Sequence, residues 1–139
     1  MKKAFILSVI SLFSLAAVSC KDNDDYQQIT DVYAAKIDSV KIPMDTMALG
    51  VAQDLKVYST FVKTCEGIYS YDYNYTNDSV RTVVNYAFKT NDVCGDGNYV
   101  DGSTISFKPV KKGTYTFKFF AGKDAAGTNT FLERKVVVE

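Results

Sequence analysis

The chain has 139 residues, with 16 basic and 16 acidic side chains, three cysteines and no histidine. Histidine is the commonest general base and the commonest metal ligand, so catalysis by a serine–histidine or cysteine–histidine pair within one chain is excluded. We therefore predict a protein that is not an enzyme and that has no cofactor and no metal site.

The first 19 residues have the parts of a secretion signal in the usual order. Lys2 and Lys3 precede an apolar run over residues 4–18, and small residues then lead to Cys20. The run has about 15 residues, whereas a membrane-spanning helix needs roughly 20. We expect residues 1–19 to be cleaved off rather than to stay as an anchor.

The cleavage site is the sequence Ala17-Val18-Ser19 followed by Cys20. It resembles the lipobox of bacterial lipoproteins, in which the cysteine sulfur receives a diacylglyceryl group before cleavage. Lipoboxes usually have leucine at the position of Ala17, so ordinary cleavage after Ser19 is the alternative. Because an exported domain with three cysteines would keep one reactive thiol, we predict that Cys20 is lipidated and anchors the protein to a membrane.

Residues 20–31 are predicted to form a tether behind the lipid. The sequence Lys21-Asp22-Asn23-Asp24-Asp25 has no apolar side chain and is typical of solvated chain. An acidic run directly after the lipidated cysteine also resembles the surface-export signal of Bacteroidota lipoproteins. That resemblance implies an outer-membrane protein at the cell surface, and the periplasmic face is the alternative.

Charge argues against a nucleic-acid partner. Residues 1–19 contain two lysines and no acid, so their removal leaves 14 basic and 16 acidic side chains. Nucleic-acid binding depends on Lys and Arg clustered on one face, and the pair Lys111-Lys112 before Gly113 is more simply a turn.

Residues 32–139 are predicted to form one all-β domain. Runs rich in Val, Ile, Thr, Tyr and Phe alternate with clusters of Gly, Asn and Asp. The seven expected strands lie near residues 32–42, 54–62, 67–75, 79–89, 104–108, 114–121 and 130–138, and residues 91–102 are expected to be a long connection. This spacing favours an immunoglobulin-like seven-stranded antiparallel sandwich, with a small β-barrel as the alternative.

Alternation within three of these runs predicts which side chains face the core. The predicted core faces are Val80, Thr82, Val84, Tyr86 and Phe88; Tyr115, Phe117 and Phe119; and Leu132, Arg134, Val136 and Val138. The charge of Arg134 interrupts the last face and indicates a sheet edge or a bulge near Glu133.

Cys65 and Cys94 are expected to form a disulfide, because exported proteins fold in an oxidising compartment. Closing a loop of about 30 residues would stabilise the fold by roughly 3 to 4 kcal/mol in the chain-entropy model. The chain has no tryptophan, so it lacks the buried tryptophan that accompanies the disulfide of antibody domains.

Four short motifs lie in or beside the predicted strands. They are Lys41-Ile42-Pro43, Thr64-Cys65, Arg81-Thr82-Val83 with the later Cys94, and Gly113-Thr114-Tyr115-Thr116-Phe117-Lys118-Phe119. Over most of residues 32–139 the sequence is similar to small immunoglobulin-like lipoproteins of Bacteroidota, which are mostly uncharacterised. The resemblance implies the sandwich fold and supplies no activity.

Oxygen-bearing side chains in the predicted connection raise the question of calcium. Asp92, Asp96, Asn98 and Asp101 are residue types that calcium prefers. However, Val100 stands where the EF-hand pattern needs an oxygen ligand, and no glutamate closes the loop. We interpret this stretch as an ordinary loop.

Four tyrosines alternate along the third predicted strand and are expected to project from one face. They are Tyr69, Tyr71, Tyr73 and Tyr75, and the opposite face carries Ser70, Asp72 and Asn74. The simpler interpretation places the tyrosines in the core. Each buried hydroxyl would need a hydrogen-bond partner, however, so the alternative is an exposed aromatic strip suited to stacking on a sugar or a peptide.

Three tripeptides resemble the acceptor sequence of the O-glycosylation system of exported Bacteroidota proteins. They are Asp38-Ser39-Val40, Asp45-Thr46-Met47 and Asp78-Ser79-Val80. The resemblance implies Ser39, Thr46 and Ser79 as glycosylation candidates, and Ser79 is the most accessible because it lies at a predicted turn.

Two functions remain compatible with these observations. The first is a non-catalytic binding or adhesion module on a lipid anchor, with a glycan or an envelope protein as its partner. The alternative is a structural accessory subunit of an outer-membrane or envelope complex.

Overall fold

Nine β-strands make up the computed structural model, which describes residues 27–139. The strands are β1 (Ile29–Ala35), β2 (Ser39–Lys41), β3 (Thr46–Met47), β4 (Gln53–Lys63), β5 (Glu66–Tyr75), β6 (Val80–Thr90), β7 (Asp96–Phe107), β8 (Gly113–Lys123) and β9 (Asn129–Val138). The predicted signal, Cys20 and most of the predicted tether lie outside the described residues. Within residues 27–139, no helix is long and apolar enough to cross a membrane.

The strands form two sheets of unequal size. The larger sheet has the order β1-β6-β8-β9-β3, and β5 pairs with β6; the smaller sheet has the order β2-β4-β7. The all-β prediction is confirmed, and the two sheets do not close into a barrel. The strand number is nine rather than seven, and the pairs β6–β8 and β3–β9 are parallel, so the prediction of seven antiparallel strands is wrong in these details.

The first predicted strand, residues 32–42, is divided between the sheets. The amide of Ile37 donates to the Phe120 carbonyl at 2.8 Å, and the amide of Asp38 donates to the Tyr58 carbonyl at 2.8 Å. Successive residues thus bond to opposite sheets, and the chain crosses from β1 in the larger sheet to β2 in the smaller one.

The predicted connection over residues 91–102 is mostly strand. β7 begins at Asp96 and pairs with β4 from Lys63 back to Gln53. The residues of this segment favour turns, but its backbone pairs with the long strand β4. This pairing gives hydrogen bonds to every second peptide group and keeps the segment extended.

The main core lies between the two sheets. Leu55, Val57, Ile105 and Phe107 project from the smaller sheet toward Val83, Phe117, Phe119 and Val136 of the larger one. The rings of Phe107 and Phe117 meet edge to face at 4.9 Å. The predicted core face of β8, with Tyr115, Phe117 and Phe119, is confirmed.

The predicted core face of β6 is wrong. Arg81, Val83, Asn85 and Ala87 are buried, whereas the predicted Val80, Thr82, Val84, Tyr86 and Phe88 lie on the opposite face and are half-buried. β5 flanks one edge of β6, while β1 and β8 share the other. Side chains on these neighbours shield the outer face of β6, so its apolar residues do not have to face the core.

The alternating pattern of β9 is partly confirmed. Val136 and Val138 are buried, Leu132 is half-buried and Arg134 is exposed. Among the described strands, β9 pairs beyond β8 only with β3, at its last two residues. Arg134 therefore lies on a sheet edge, as predicted.

Cys65 and Cys94 lie at disulfide distance, with their α-carbons 5.0 Å apart. Cys65 is in the turn between β4 and β5, and Cys94 is in the connection between β6 and β7. Next to the pair, the amide of Thr64 donates to the Gly95 carbonyl at 3.0 Å. The predicted pairing is confirmed, and it joins two loops at one end of the fold.

Candidate binding surface

The tyrosine row lies on the inner face of the larger sheet but beyond the cover of the smaller one. In the register of β5 with β6, Tyr71 is opposite Asn85, Tyr73 is opposite Val83 and Tyr75 is opposite Arg81. Residues directly opposite in an antiparallel pair project from the same face. These three tyrosines therefore point to the side on which the core is built.

The smaller sheet reaches β5 only near the start of that strand, within the described residues. There the Tyr99 hydroxyl donates to the Glu66 carbonyl, and the amide of Ile68 donates to the Asp101 carboxylate. Farther along β5, Tyr71 is 40% exposed and Tyr75 is 71% exposed. The interpretation that the row belongs to the core is therefore wrong for Tyr71 and Tyr75, because three strands do not cover a sheet of six.

Tyr69 does not belong to the row. The register of β5 shifts between Ile68 and Ser70, and a bulge of this kind leaves the extra residue unpaired. Tyr69 is 56% exposed. The prediction of four tyrosines on one face is corrected to three.

Tyr73 links this surface to the core. It is half-buried and packs against the main core cluster. Its ring meets that of Tyr75 edge to face at 5.5 Å, and burial raises the pKa of Tyr73 to about 12. We refer to Tyr71, Tyr73 and Tyr75 as the tyrosine surface.

Arg81 lies behind this surface and is only 5% exposed. Its guanidinium carbon is 4.1 Å from the ring centroid of Tyr75 and 5.2 Å from that of Tyr115. The guanidinium donates to the carbonyls of Asn77 at 2.7 Å, Val80 at 3.1 Å and Asp78 at 3.1 Å. Its Nε has no hydrogen-bond partner among the described residues.

A shallow depression of about 390 Å³ adjoins Arg81. Tyr75 and Tyr115 supply aromatic walls, and Lys111 and Asp78 lie at its rim. Lys111 Nζ is 2.9 Å from Asp78 Oδ2, and this contact lowers the pKa of Asp78 and raises the pKa of Lys111. The depression combines flat apolar rings with fixed charges of both signs.

Sequence reasoning missed Arg81 as part of a surface. The alternation of β6 is more apolar at Val80, Val84 and Phe88 than on the face of Arg81 and Asn85, so the strand by itself predicts the opposite orientation. Only the register with β5 brings Arg81 beside Tyr75.

The three glycosylation candidates are all exposed. Ser39 lies in β2, Thr46 in β3, and Ser79 at the turn before β6. The Ser79 hydroxyl lies 3.3 Å from Asn77 Oδ1. Their modification stays a prediction.

The acidic residues considered for calcium are occupied in other ways. Asp96 forms an ion pair with Lys63, and Asp101 accepts from the amide of Ile68 at 3.2 Å. Across residues 27–139, no group of three or more acidic, histidine or cysteine residues is placed to hold a metal ion.

No family model, curated protein or solved structure matches the chain. Function is therefore inferred from the geometry of the tyrosine surface and from the sequence.

Proposed function

We propose that this chain is the precursor of a lipid-anchored cell-envelope protein and that its domain is a non-catalytic binding or adhesion module. The observation that carries the proposal is the tyrosine surface, where exposed Tyr71 and Tyr75 share one sheet face and Tyr75 lies beside the buried guanidinium of Arg81. We further propose an immunoglobulin-like sandwich, which is supported by two sheets that enclose one core and by the chain's crossings between them.

The sequence before the domain supports the anchor. A short apolar signal leads to Cys20, and lipid chains on that residue would hold the domain at a membrane. The acidic residues that follow favour the outer face of the outer membrane, with the periplasmic face as the alternative.

The chemistry of the surface favours a ligand with flat apolar patches and polar edges. Tyrosine offers an apolar ring face together with a hydroxyl that exchanges hydrogen bonds at the wet edge. A sugar ring or an extended peptide has the same combination. Nearby Lys111 and Asp78 offer a donor and an acceptor.

Binding to a glycan array, and capture of partners from native envelope membranes, test this proposal. The double variant Tyr71→Ser/Tyr75→Ser should lose binding and stay folded, with a loss of about 1 to 2 kcal/mol in the free energy of unfolding. Tyr71 is 40% and Tyr75 71% exposed, and Tyr75 gives up its contacts with Tyr73 and Arg81. Tyr73 is left intact, since its ring packs on the core and its removal would cost about 2 to 4 kcal/mol.

A matched control is Phe131→Ser, which removes a ring that is 36% exposed on β9, away from the tyrosine surface. The control should bind as the wild type does. If the double variant also keeps full binding, the tyrosine surface is not the binding site.

The alternative function, an accessory subunit of an envelope complex, is favoured by one observation on the outer face of the larger sheet. Val84, Tyr86 and Phe88 are half-buried there, beside exposed Val32. A stoichiometric envelope protein, captured by the wild type and lost with Val84→Lys rather than with the tyrosine variant, would support this function.

A further inference from the structure

β5 has a free backbone edge, and its hydrogen-bond pattern follows from the observed register. The amide of Thr76 donates to the Val80 carbonyl at 3.1 Å, which makes these two residues a hydrogen-bonded pair. Hydrogen-bonded and non-hydrogen-bonded pairs alternate along an antiparallel ladder. The pairs of β6 with Tyr75, Tyr73 and Tyr71 are therefore of the non-hydrogen-bonded kind.

The N–H and C=O groups of Tyr71, Tyr73 and Tyr75 consequently point away from β6. The other end of the strand agrees with this pattern, because the amide of Ile68 also points outward, where it donates to the Asp101 carboxylate at 3.2 Å. Among residues 27–139, no group hydrogen bonds to the outward backbone of the three tyrosines.

This free segment has defined ends. The bulge at Tyr69 and the contact between Ile68 and Asp101 close it on one side, and the turn after Thr76 closes it on the other. Residues 71–75 remain, and Tyr73 is at their centre.

Between the bulge at Tyr69 and the turn, residues 71–75 lack the side chains that protect edge strands from pairing. Natural sheets protect an edge with lysine, proline, a bulge or a short strand. The free edge of β9 carries Glu133, Arg134 and Lys135, and β7 has two glycines and two aspartates. Residues 71–75 have neither lysine nor proline, and their one charge is Asp72.

We propose that a second copy of this chain pairs with this edge, β5 to β5 and antiparallel, with Tyr73 opposite the second copy's Tyr73. Tyr71 then lies opposite the second copy's Tyr75, so all outward backbone groups face each other. Each opposed pair exchanges two N–H···O bonds, which gives about six across the twofold axis.

Charge and the number of backbone bonds favour this register over its two neighbours. With Tyr73 at the axis, Asp72 lies opposite the second copy's Asn74, which is a carboxylate beside an amide. Moving the axis to Asp72 would put two carboxylates directly opposite each other, an arrangement that destabilises a strand pair. Moving it to Asn74 would place Tyr71 opposite residue 77, beyond the end of β5, and leave two of the three bonded pairs. The favoured register also aligns aromatic cross-strand pairs, which stabilise sheets.

The pairing leaves the tyrosine rings on the sheet face and uses only the strand edge. It is therefore independent of the proposed ligand binding, and either one can fail without the other.

Cysteine cross-linking of the full chain in its native envelope tests the register. A single Tyr73→Cys should form a disulfide dimer, because the α-carbons of a hydrogen-bonded pair lie about 5.5 Å apart, within disulfide reach. Tyr71→Cys should not, since its copies would be offset by about 13 Å along the strands. The double variant Tyr71→Cys/Tyr75→Cys should form the disulfide dimer, because residue 71 of one copy lies opposite residue 75 of the other. Equal cross-linking of the two single variants would overturn the register.

Sedimentation of the full-length protein in detergent solution tests the backbone edge. Tyr71→Pro and Tyr71→Ser both lose a ring that lies outside the core cluster, but only proline also loses the outward N–H, which an edge strand tolerates. We expect the serine variant to dimerise and the proline variant to have a dimer Kd higher by roughly tenfold to a hundredfold, with unchanged far-ultraviolet circular dichroism. A monomeric wild type, or two variants with the same Kd, would overturn the proposal.

Discussion

Replacing Arg81 by methionine and by alanine separates what this residue contributes to the fold from what it presents at the surface. Arg81 is buried, yet its hydrogen bonds go to backbone carbonyls and not to a carboxylate. Methionine keeps a long apolar side chain between Tyr75 and Tyr115. Alanine leaves that space empty.

The structure allows the cost of each change to be compared. The carbonyls of Asn77 and Asp78 belong to exposed turn residues, and we expect water to replace the guanidinium there. The Val80 carbonyl also accepts from the amide of Thr76 and stays paired. The penalty of about 1 to 3 kcal/mol for an orphaned buried group therefore does not arise.

Three terms remain for methionine, one unfavourable and two favourable. Loss of the cation–π contacts with two rings costs about 1 to 3 kcal/mol, and the thioether regains about 0.3 to 1.5 kcal/mol against the same rings. Removing a buried charge relieves a desolvation cost of several kcal/mol. We expect Arg81→Met to stay within about 1.5 kcal/mol of the wild type, whereas Arg81→Ala should lose about 2 to 4 kcal/mol through the cavity.

Urea unfolding under non-reducing conditions measures both values, provided that the denaturant slope m is unchanged. Equal destabilisation by methionine and alanine would refute the reasoning, because the guanidinium hydrogen bonds would then hold the turn. A stable Arg81→Met variant that loses ligand binding would show that Arg81 serves the tyrosine surface rather than the fold.

Two further predictions concern the cysteines. The double variant Cys65→Ala/Cys94→Ala should have a free energy of unfolding about 3 to 4 kcal/mol lower than the wild type. Reductant should no longer change the stability of this variant. A loss below about 1 kcal/mol in urea unfolding would contradict the loop-closure argument. The wild type should incorporate a radioactive fatty acid, and the variant Cys20→Ala should not, because no other segment of the sequence suggests a lipid anchor. An unlabelled wild type would disprove the lipoprotein prediction.

Local alternation predicted the structure correctly where one face of a strand is clearly more apolar and lies over the core. In β8, Tyr115, Phe117 and Phe119 alternate with Thr116 and Lys118, and the aromatic face is buried. The disulfide could also be predicted, because the hypothesis of export with lipidation at Cys20 leaves two cysteines and one way to pair them.

Alternation failed in β6 because its apolar outer face is half-buried without facing the core. Side chains of the flanking strands β1 and β5 lie beside these outer residues. The inner face has room for small Ala87 and for Asn85, which donates to Ser59 Oγ at 3.2 Å across the sheets. The choice between the faces depends on which strands flank β6, and those partners are distant in sequence.

The exposure of the tyrosine surface has a similar cause in the topology. Composition predicted tyrosines directed toward the core, and Tyr71 and Tyr75 do project from the core side of the sheet. Their exposure arises because the second sheet has three strands and reaches β5 only near Glu66 and Ile68. β5 is also an outermost strand with an unpaired edge, because it pairs only with β6 in its own sheet. The aromatic surface and the free backbone edge thus both depend on where the topology places β5, and residues 66–75 alone contain the information for neither.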